Sequence, residues 1–207
     1  MERRAKDPTR RDKNRPNATY HLTAHGVDEL PIFGKYSEKR TFINLFERYL
    51  SHAPSSDAKG RRSRKLHHAV NLIAFCVMDN HLHLIVHQRT ADGCEQLMHS
   101  LMTSYAKWFN NENNRRGPIL RERYAATPIL THEHAKQAIA YVHLNEPTQG
   151  LNYEHTGHDY LIGARRADWI DVDAGLRIFG GRTAYLDYLT RHGPAIIKRK
   201  RTKATLK

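Results

Sequence analysis

Two histidines, His81 and His83, flank a single leucine inside the apolar segment FCVMDNHLHLIVHQ, residues 75–88. In a β-strand alternate side chains share a face, and these two imidazoles lie about 6.6 Å apart along the strand, close enough to bind one metal ion. His87 shares the face but lies about 13 Å beyond His83, too far to join them. The chain has 15 histidines, so the alternative is a polar pair on the solvent face of an edge strand.

A second pair with the same spacing, His132 and His134, begins the segment HEHAKQAIAYVHLNEP. That segment has helical periodicity, and side chains two residues apart on a helix project about 200° apart. His132 and His134 therefore cannot readily bind the same ion. Of the two pairs, the strand pair has the suitable geometry.

The same helical segment places Tyr141 and Asn145 one turn apart on one face. Two imidazoles leave a divalent ion undersaturated, so a third ligand is expected elsewhere. A tyrosine beside a metal ion in a basic protein indicates phosphoryl transfer with tyrosine as the nucleophile. The free phenol is a weak nucleophile at neutral pH, and an ion that polarises the phosphate compensates for this. The alternative is that Tyr141 is a core aromatic residue packed beside Ile139 and Val142.

The charge distribution indicates a polyanionic partner. The net charge is +13, and residues 1–16 carry seven basic against three acidic residues, while residues 191–207 carry seven basic and no acidic residues. A third basic cluster, GRRSRK, occupies residues 60–65. Contact with nucleic-acid phosphates is favoured over tails that only aid solubility. The candidate contacts are Arg61, Arg62, Lys198, Arg199, Lys200 and Arg201.

Length and composition indicate one buried core with extensions. No apolar run approaches the 18 residues or so of a membrane span, and the first sixteen residues have no apolar core of a signal peptide. We therefore expect a cytoplasmic protein. Cys76 and Cys94 form neither a disulfide framework nor a zinc-ligand spacing, and we expect them to be reduced and structural.

Periodicity predicts an α+β fold with a mainly antiparallel sheet and helices packed on it. The predicted strands are residues 19–26, a central strand at 67–78, its hairpin partner at 81–88 after the turn Asp79-Asn80, and an edge segment at 118–130. The predicted helices are residues 37–53 with Ser37 as the N-cap, 94–114, 132–147 between the cap Thr131 and the terminator Pro147, and a further helix near 181–192. Tyr20 and His21, on the first strand, are assigned structural roles.

Four segments resemble the single-tyrosine HUH transposases in order and spacing, and within them the REP-associated tyrosine transposase branch. They are YHLTAHG…LPIF, VMDNHLHLIV, GPILRERYAATPI and AIAYVHLNEPTQGL. The resemblance covers about residues 19–160. Together with the charge distribution, it predicts a basic, disordered tail at 1–18, the transposase domain at 19–160, a helical extension at 161–190 and a basic tail at 191–207.

The resemblance implies a ferredoxin-like domain that binds Mg²⁺ or Mn²⁺ through His81, His83 and Asn145. Tyr141 is then the nucleophile, which attacks a phosphodiester of single-stranded DNA and leaves a 5′-phosphotyrosine and a free 3′-hydroxyl. The typical substrates of this branch are palindromic repeats that form hairpins. Arg121, Arg123 and Tyr124, in the segment RERY, are expected near the DNA.

Two positions depart from the family pattern. Glu146 stands where proline is expected after Asn145, which makes Glu146 an alternative oxygen ligand. Asp79 replaces the proline of the segment before the histidines, and its carboxylate is a candidate partner for His81.

Other functional classes remain open at this stage. One is a non-catalytic binder that keeps the hairpin-binding surface, and others are an HUH replication initiator or relaxase, and a ferredoxin-like RNA binder. The intact set His81, His83, Tyr141 and Asn145 favours the enzyme. We expect no membrane partner, and a monomer or a homodimer.

Overall fold

The computed structural model describes residues 15–56, 60, 62–145 and 153–205, with the side chains of the last helix described up to Lys198. A short 3₁₀ turn at Val27–Glu29 follows the first strand. The strands are β1 Ala18–His25, β2 Val70–Val77, β3 His81–Gln88 and β4 Ala125–Ile129. The helices are α1 Tyr36–Leu50, α2 Gly93–Glu112, α3 His132–His143, α4 His158–Leu161, α5 Val172–Phe179 and α6 Arg182–Thr205.

The four strands form one antiparallel sheet in the order β2-β3-β1-β4. With α1 after β1 and α2 after β3, the chain follows the β-α-β-β-α-β pattern of ferredoxin-like folds. The predicted fold class is confirmed. β3, which carries the histidine pair, is a central strand, so the pair does not lie on an edge strand.

The prediction that β2 is central is wrong, because β2 lies at an edge of the sheet. Its apolar sequence has a different cause: residues 155–157 cover part of its outer backbone. The N–H of Val77 donates to the carbonyl of His155 at 3.0 Å, and the N–H of Gly157 donates to Phe75 at 2.9 Å. A covered edge tolerates an apolar strand as well as a central position does.

Alternation along the strands produces two separate cores, one on each face of the sheet. Leu82, Leu84 and Val86 of β3 pack with α1 and α2 on one face. Ile85 packs on the opposite face with residues of α3, α5 and α6, including Ile139. The candidate site lies on this second face, as the predicted alternation requires.

The structure confirms one predicted helix cap, and it corrects another cap and one predicted helix end. Thr131 caps α3, because its hydroxyl accepts the N–H of His134 at 3.1 Å. Ser37 is not a cap: α1 begins one residue earlier, and the N–H of its N-cap Lys35 donates to the Glu38 carboxylate at 2.8 Å. The end of α3 was also predicted wrongly, because the helix ends at His143 rather than continuing to Pro147, which lies outside the described residues.

The C-terminal extension is helical and packs against the second face. The helix predicted near 181–192 is α6, which continues to Thr205 and so includes most of the basic segment that follows. Within the described residues, no helix combines the length and the apolar character needed to cross a membrane.

Candidate active site

Four histidines from two neighbouring strands lie on the face of the sheet that α3 covers. His81 and His83 come from β3, and their ring centroids are 5.0 Å apart with the planes nearly perpendicular. The antiparallel register places His25 of β1 directly opposite His81, and these two rings stack at 4.9 Å. The histidine pair is therefore part of a larger imidazole cluster.

His21 is the fourth histidine. The sequence analysis assigned it a structural role and missed its contact with His83. Its Nε2 lies 3.0 Å from Nδ1 of His83, a hydrogen-bond distance, and the two rings are 5.0 Å apart. In the β1–β3 register His21 is opposite Ile85, diagonal to His83. One feature of the sequence could have indicated this role: His21 and His25 are four residues apart, which puts both on one face of β1.

Tyr141 of α3 completes the cluster. Its ring centroid is 5.6 Å from that of His83 and 6.2 Å from that of His21. The side chain is 37% exposed, so Tyr141 is not the core aromatic residue of the alternative interpretation. Burial of part of the ring raises the pKa of Tyr141, and the nearby Cys76 adds to this effect. The phenol is therefore protonated at neutral pH.

Asn145 lies two residues beyond the end of α3 and is buried. Its N–H donates to the carbonyl of Val142 at 3.3 Å. The expected i, i+4 relation with Tyr141 assumed a helix that continues through Asn145, and that assumption is wrong. Glu146, the alternative ligand, lies outside the described residues.

The turn before β3 holds the ring of His81. Asn80 Oδ1 lies 2.7 Å from Nδ1 of His81, so Asn80 occupies the partner position that the sequence suggested for Asp79. The carboxylate of Asp79 instead forms an ion pair with the buried Lys39 at 2.9 Å. Asp79 thus ties the hairpin turn to α1.

The two histidines suit a metal ion through one nitrogen each. Nδ1 of His81 faces Asn80, and Nδ1 of His83 faces His21, so a metal ion held by this pair would be coordinated through Nε2 of each ring. Among the described residues, no group of three or more His, Cys, Asp or Glu side chains could hold a metal ion. The further ligands predicted from the sequence, the amide of Asn145 and the carboxylate of Glu146, are oxygen donors, which Mg²⁺ and Mn²⁺ accept.

The DNA-contact residues predicted in the segment RERY do not all lie on this face, because Tyr124 packs against the core on the other face. Arg121 forms an ion pair with Glu29 at 2.8 Å, and its N–H donates to the carbonyl of His25 at 3.0 Å, which places it beside the cluster. Arg123 is exposed. Tyr124 packs partly against the core, and burial raises its pKa to about 12.

The other predicted contacts belong to the basic segments. Arg62 and Lys198 are exposed, and Arg61 lies outside the described residues. The side chains of three further candidates on α6 are likewise not described: Arg199, Lys200 and Arg201. Their DNA contacts stay a prediction.

An antiparallel α+β domain with His-x-His on a central strand and a tyrosine-bearing helix on the same face has the architecture that the resemblance implied. Residues 61–145, which include both histidines and the tyrosine, match the family model described as "Transposase IS200 like". This match confirms the predicted resemblance to single-tyrosine transposases over residues 61–145.

A solved structure described as "Structure of the REP associates tyrosine transposase bound to a REP hairpin" is similar over 83% of this chain and 93% of that one, at 15% identity and a TM-score of 0.49. No curated protein matches the sequence.

Proposed function

We propose that this protein is a single-strand DNA transesterase of the transposase type, which cleaves and rejoins DNA beside hairpin-forming repeats with Tyr141 as the nucleophile. The supporting observation is the position of Tyr141: partly exposed, 5.6 Å from the ring of His83, on the face that also carries His81. A tyrosine with only a packing role has no need of an imidazole cluster beside it or of solvent access.

The reaction balances without an external energy source. The Tyr141 oxygen attacks phosphorus and the P–O3′ bond breaks, so one phosphodiester becomes a 5′-phosphotyrosine and a 3′-hydroxyl. The phenol loses its proton as the new bond forms, and O3′ gains one as it leaves. Because the pKa of Tyr141 is raised, the phenol is protonated before attack, and His21, which is not a proposed metal ligand and lies 6.2 Å from the Tyr141 ring, is the proposed acceptor of its proton. Rejoining is the reverse reaction.

Mg²⁺ or Mn²⁺ is the proposed cofactor, with His81 and His83 as its nitrogen ligands and Asn145 as an oxygen ligand. When bound, such an ion polarises the scissile phosphate and stabilises charge on its oxygens. His21 holds the ring of His83 and Asn80 holds the ring of His81, so both imidazoles keep a fixed orientation.

The proposed substrate is single-stranded DNA that folds into a hairpin, as the motif resemblance implies. The excess of basic residues supports a nucleic-acid partner through phosphate contacts. Arg121 and Arg123 lie between α2 and β4, and the N–H of Arg121 donates to the carbonyl of His25 at the end of β1. This proximity to the histidine cluster supports the proposal that they contact DNA at the tyrosine face. Arg62 and the basic end of α6 are proposed as additional phosphate contacts.

The test uses a hairpin oligonucleotide built from a palindromic repeat beside the gene and labelled at its 3′ end. A 5′-phosphotyrosine carries this label into a covalent protein–DNA adduct, visible on a denaturing gel. We expect an adduct that requires Mg²⁺ or Mn²⁺ and is absent in Tyr141→Phe. Tyr36→Phe is the matched control, because Tyr36 is also exposed but lies at the start of α1.

An adduct that persists in Tyr141→Phe would place the nucleophile elsewhere. Hairpin binding by the wild-type protein without any adduct would support the non-catalytic binder. Cleavage without a metal requirement would remove the proposed roles of His81 and His83 while leaving Tyr141 as the nucleophile.

A further inference from the structure

A chain of polar contacts leads from the turn after β1 to the ring of His81. Arg121 Nη2 donates to Oε1 of Glu29 at 2.8 Å. The other carboxylate oxygen of Glu29 accepts Nδ2 of Asn80 at 2.5 Å. Oδ1 of Asn80 lies 2.7 Å from Nδ1 of His81. The three contacts connect four side chains. Only Asn80 and His81 are neighbours in the sequence.

The chemistry of these groups determines the direction of every hydrogen bond. A carboxylate only accepts, so the Asn80 amide must turn its NH₂ group to Glu29 and its oxygen to His81. An amide oxygen also only accepts, so Nδ1 of His81 must carry the hydrogen. In the neutral imidazole the lone pair then lies on Nε2. Glu29 thereby selects the tautomer of a ring that it does not touch.

We propose that Glu29 is a positioning residue, which orients the Asn80 amide and through it holds His81 in the tautomer whose Nε2 can coordinate a metal ion. This inference rests on the proposed function in one respect, which is the role of His81 as a metal ligand. The tautomer itself is a property of the protein without metal or DNA.

The backbone of the turn supports a specific role for Glu29. Asp28 and Glu29 both have positive φ, 47° and 57°, a conformation that is strained for most non-glycine residues. The turn is fixed to its surroundings: the N–H of Val27 donates to Ile119 at 3.0 Å. Strain of this kind persists only where neighbouring structure imposes it, and here it aims the Glu29 carboxylate at Asn80.

Gly26 links the two turns. Its N–H donates to the carbonyl of Asn80 at 2.7 Å. A Cβ at this position would lie 2.3 Å from the carbonyl oxygen of Leu30, so a larger residue would displace the Glu29 turn from the hairpin turn. Glycine therefore allows the close approach on which the Glu29–Asn80 contact depends.

Stability alone does not explain these contacts. The side chain of Glu29 is 67% exposed and that of Arg121 is 52% exposed, and exposed ion pairs contribute little to the free energy of unfolding. Substitution of Glu29 should therefore alter the His81 ring without unfolding the protein, and this separates a positioning role from a structural one.

The test observes the His81 ring directly by ¹⁵N NMR of the full chain, labelled at histidine, at a pH where the ring is neutral and with no metal or DNA present. In the wild-type protein the hydrogen should lie on Nδ1. Glu29→Gln removes the obligatory acceptor, since a glutamine amide can present either its oxygen or its nitrogen to Asn80. We expect a mixture of tautomers, and Mn²⁺ affinity, measured by titration, about ten- to hundredfold weaker.

Asp28→Asn is the matched control, because Asp28 occupies the same strained turn and asparagine tolerates positive φ. We expect the wild-type tautomer in this variant. The double variant Glu29→Gln/Asn80→Asp is the rescue: glutamine then donates to a carboxylate, and that carboxylate still accepts from Nδ1 of His81. We expect it to restore the wild-type tautomer.

An unchanged tautomer in Glu29→Gln, an equal change in Asp28→Asn, or no recovery in the double variant would overturn the inference. These results are independent of Tyr141, because no DNA is present. Wild-type protein with the expected tautomer but no Mn²⁺ affinity would instead contradict the proposed metal site, and the role of Glu29 in selecting the tautomer would remain.

Discussion

Among the described residues, α3 contributes one residue to each of two clusters that combine histidine with tyrosine. The open cluster consists of His21, His25, His81, His83 and Tyr141, on the sheet face under α3. The sealed cluster consists of His143, His158 and Tyr185, between α3 and the C-terminal extension. Tyr141 and His143 are only two residues apart, yet Tyr141 is 37% exposed and His143 is fully buried.

In the sealed cluster one hydroxyl serves two imidazoles. The Tyr185 hydroxyl lies 2.8 Å from Nδ1 of His143 and 2.7 Å from Nδ1 of His158. Burial lowers the pKa of His143 to about 3, and the neighbouring His158 adds to this effect. Burial also lowers the pKa of His158 and raises that of Tyr185. All three groups therefore stay neutral at physiological pH.

The same residue types thus have opposite uses. A buried tyrosine between two neutral histidines closes a polar gap in the interface between α3 and α6, and no substrate can reach it. The open cluster leaves its tyrosine accessible and holds its imidazoles through their Nδ1 atoms. Solvent access, rather than residue type, separates the candidate active site from the structural network.

Replacing each of the two tyrosines by phenylalanine, in separate variants, tests this separation most strongly. Tyr141→Phe should reduce adduct formation by roughly three orders of magnitude or more, because the nucleophile is lost. Tyr185→Phe should leave the adduct but lower the free energy of unfolding by about 1–3 kcal/mol, because two buried imidazoles lose a partner. Denaturing gels and urea unfolding measure the two effects. Loss of the adduct in a folded Tyr185→Phe protein would contradict the separation.

Loss of His21 should have the next largest effect. His21→Phe keeps a ring beside His83 but removes the hydrogen bond to its Nδ1. We expect Mn²⁺ affinity and cleavage to fall about ten- to hundredfold. Thr19→Val is the control, since Thr19 contacts His87 at the far end of the same two strands. Equal losses in both variants would indicate general damage to the sheet.

The sealed cluster should make the protein sensitive to acid. The folded-state pKa of His143, about 3, lies below the ordinary value of about 6.5, so the unfolded chain binds more protons between these values. Stability is therefore complete above about pH 6.5 and falls as the pH decreases, by about 2 kcal/mol at pH 5 from His143 alone. Urea unfolding from pH 8 to 5 measures this change. His143→Leu should flatten the profile, and an unchanged slope would assign the acid sensitivity to other groups.

The smallest expected effect concerns the helix that both clusters share. Thr131→Ala removes the N-cap of α3 and should cost about 1 kcal/mol in urea unfolding. The control Thr190→Ala, on the exposed surface of α6, should cost less than about 0.5 kcal/mol. Equal costs would show that the Thr131 cap contributes nothing specific to α3.

Much of the fold could be predicted from local patterns. Alternation identified β1, β-branched and aromatic composition identified β2, and the Asp79-Asn80 turn identified the hairpin partner β3. Prolines marked the segment at 118–130 as an edge, and helical spacing identified α1, α2 and α3. The order of the strands could not be obtained in this way: β2 has a central strand's composition but lies at an edge, because the remote segment around His155 and Gly157 covers it. An apolar pattern indicates that a strand is covered, but it does not show whether a neighbouring strand or another chain segment covers it.

The candidate site shows the same division. His81 and His83 were predicted to share a face, and the contact of Tyr141 with His83 agrees with a common site. His21 was assigned a structural role, and Glu29 was not considered, because each joins the site only through pairing between distant segments. The expected position of Asn145 on α3 failed because a single-sequence pattern locates helix ends poorly.

The amino-acid sequence by itself determined which residues share a face, because the two-residue period of a strand and the 3.6-residue period of a helix follow from backbone geometry. It placed His81 with His83, separated Tyr141 from His143, and supplied Thr131 as a cap. The tertiary structure decided which face remains open. Strand register brought His21 and His25 to the pair, the turn at Glu29 oriented Asn80, and α6 covered His143 while Tyr141 stayed accessible. These three arrangements depend on contacts between segments far apart in the chain, and the local spacing of residues does not predict such contacts.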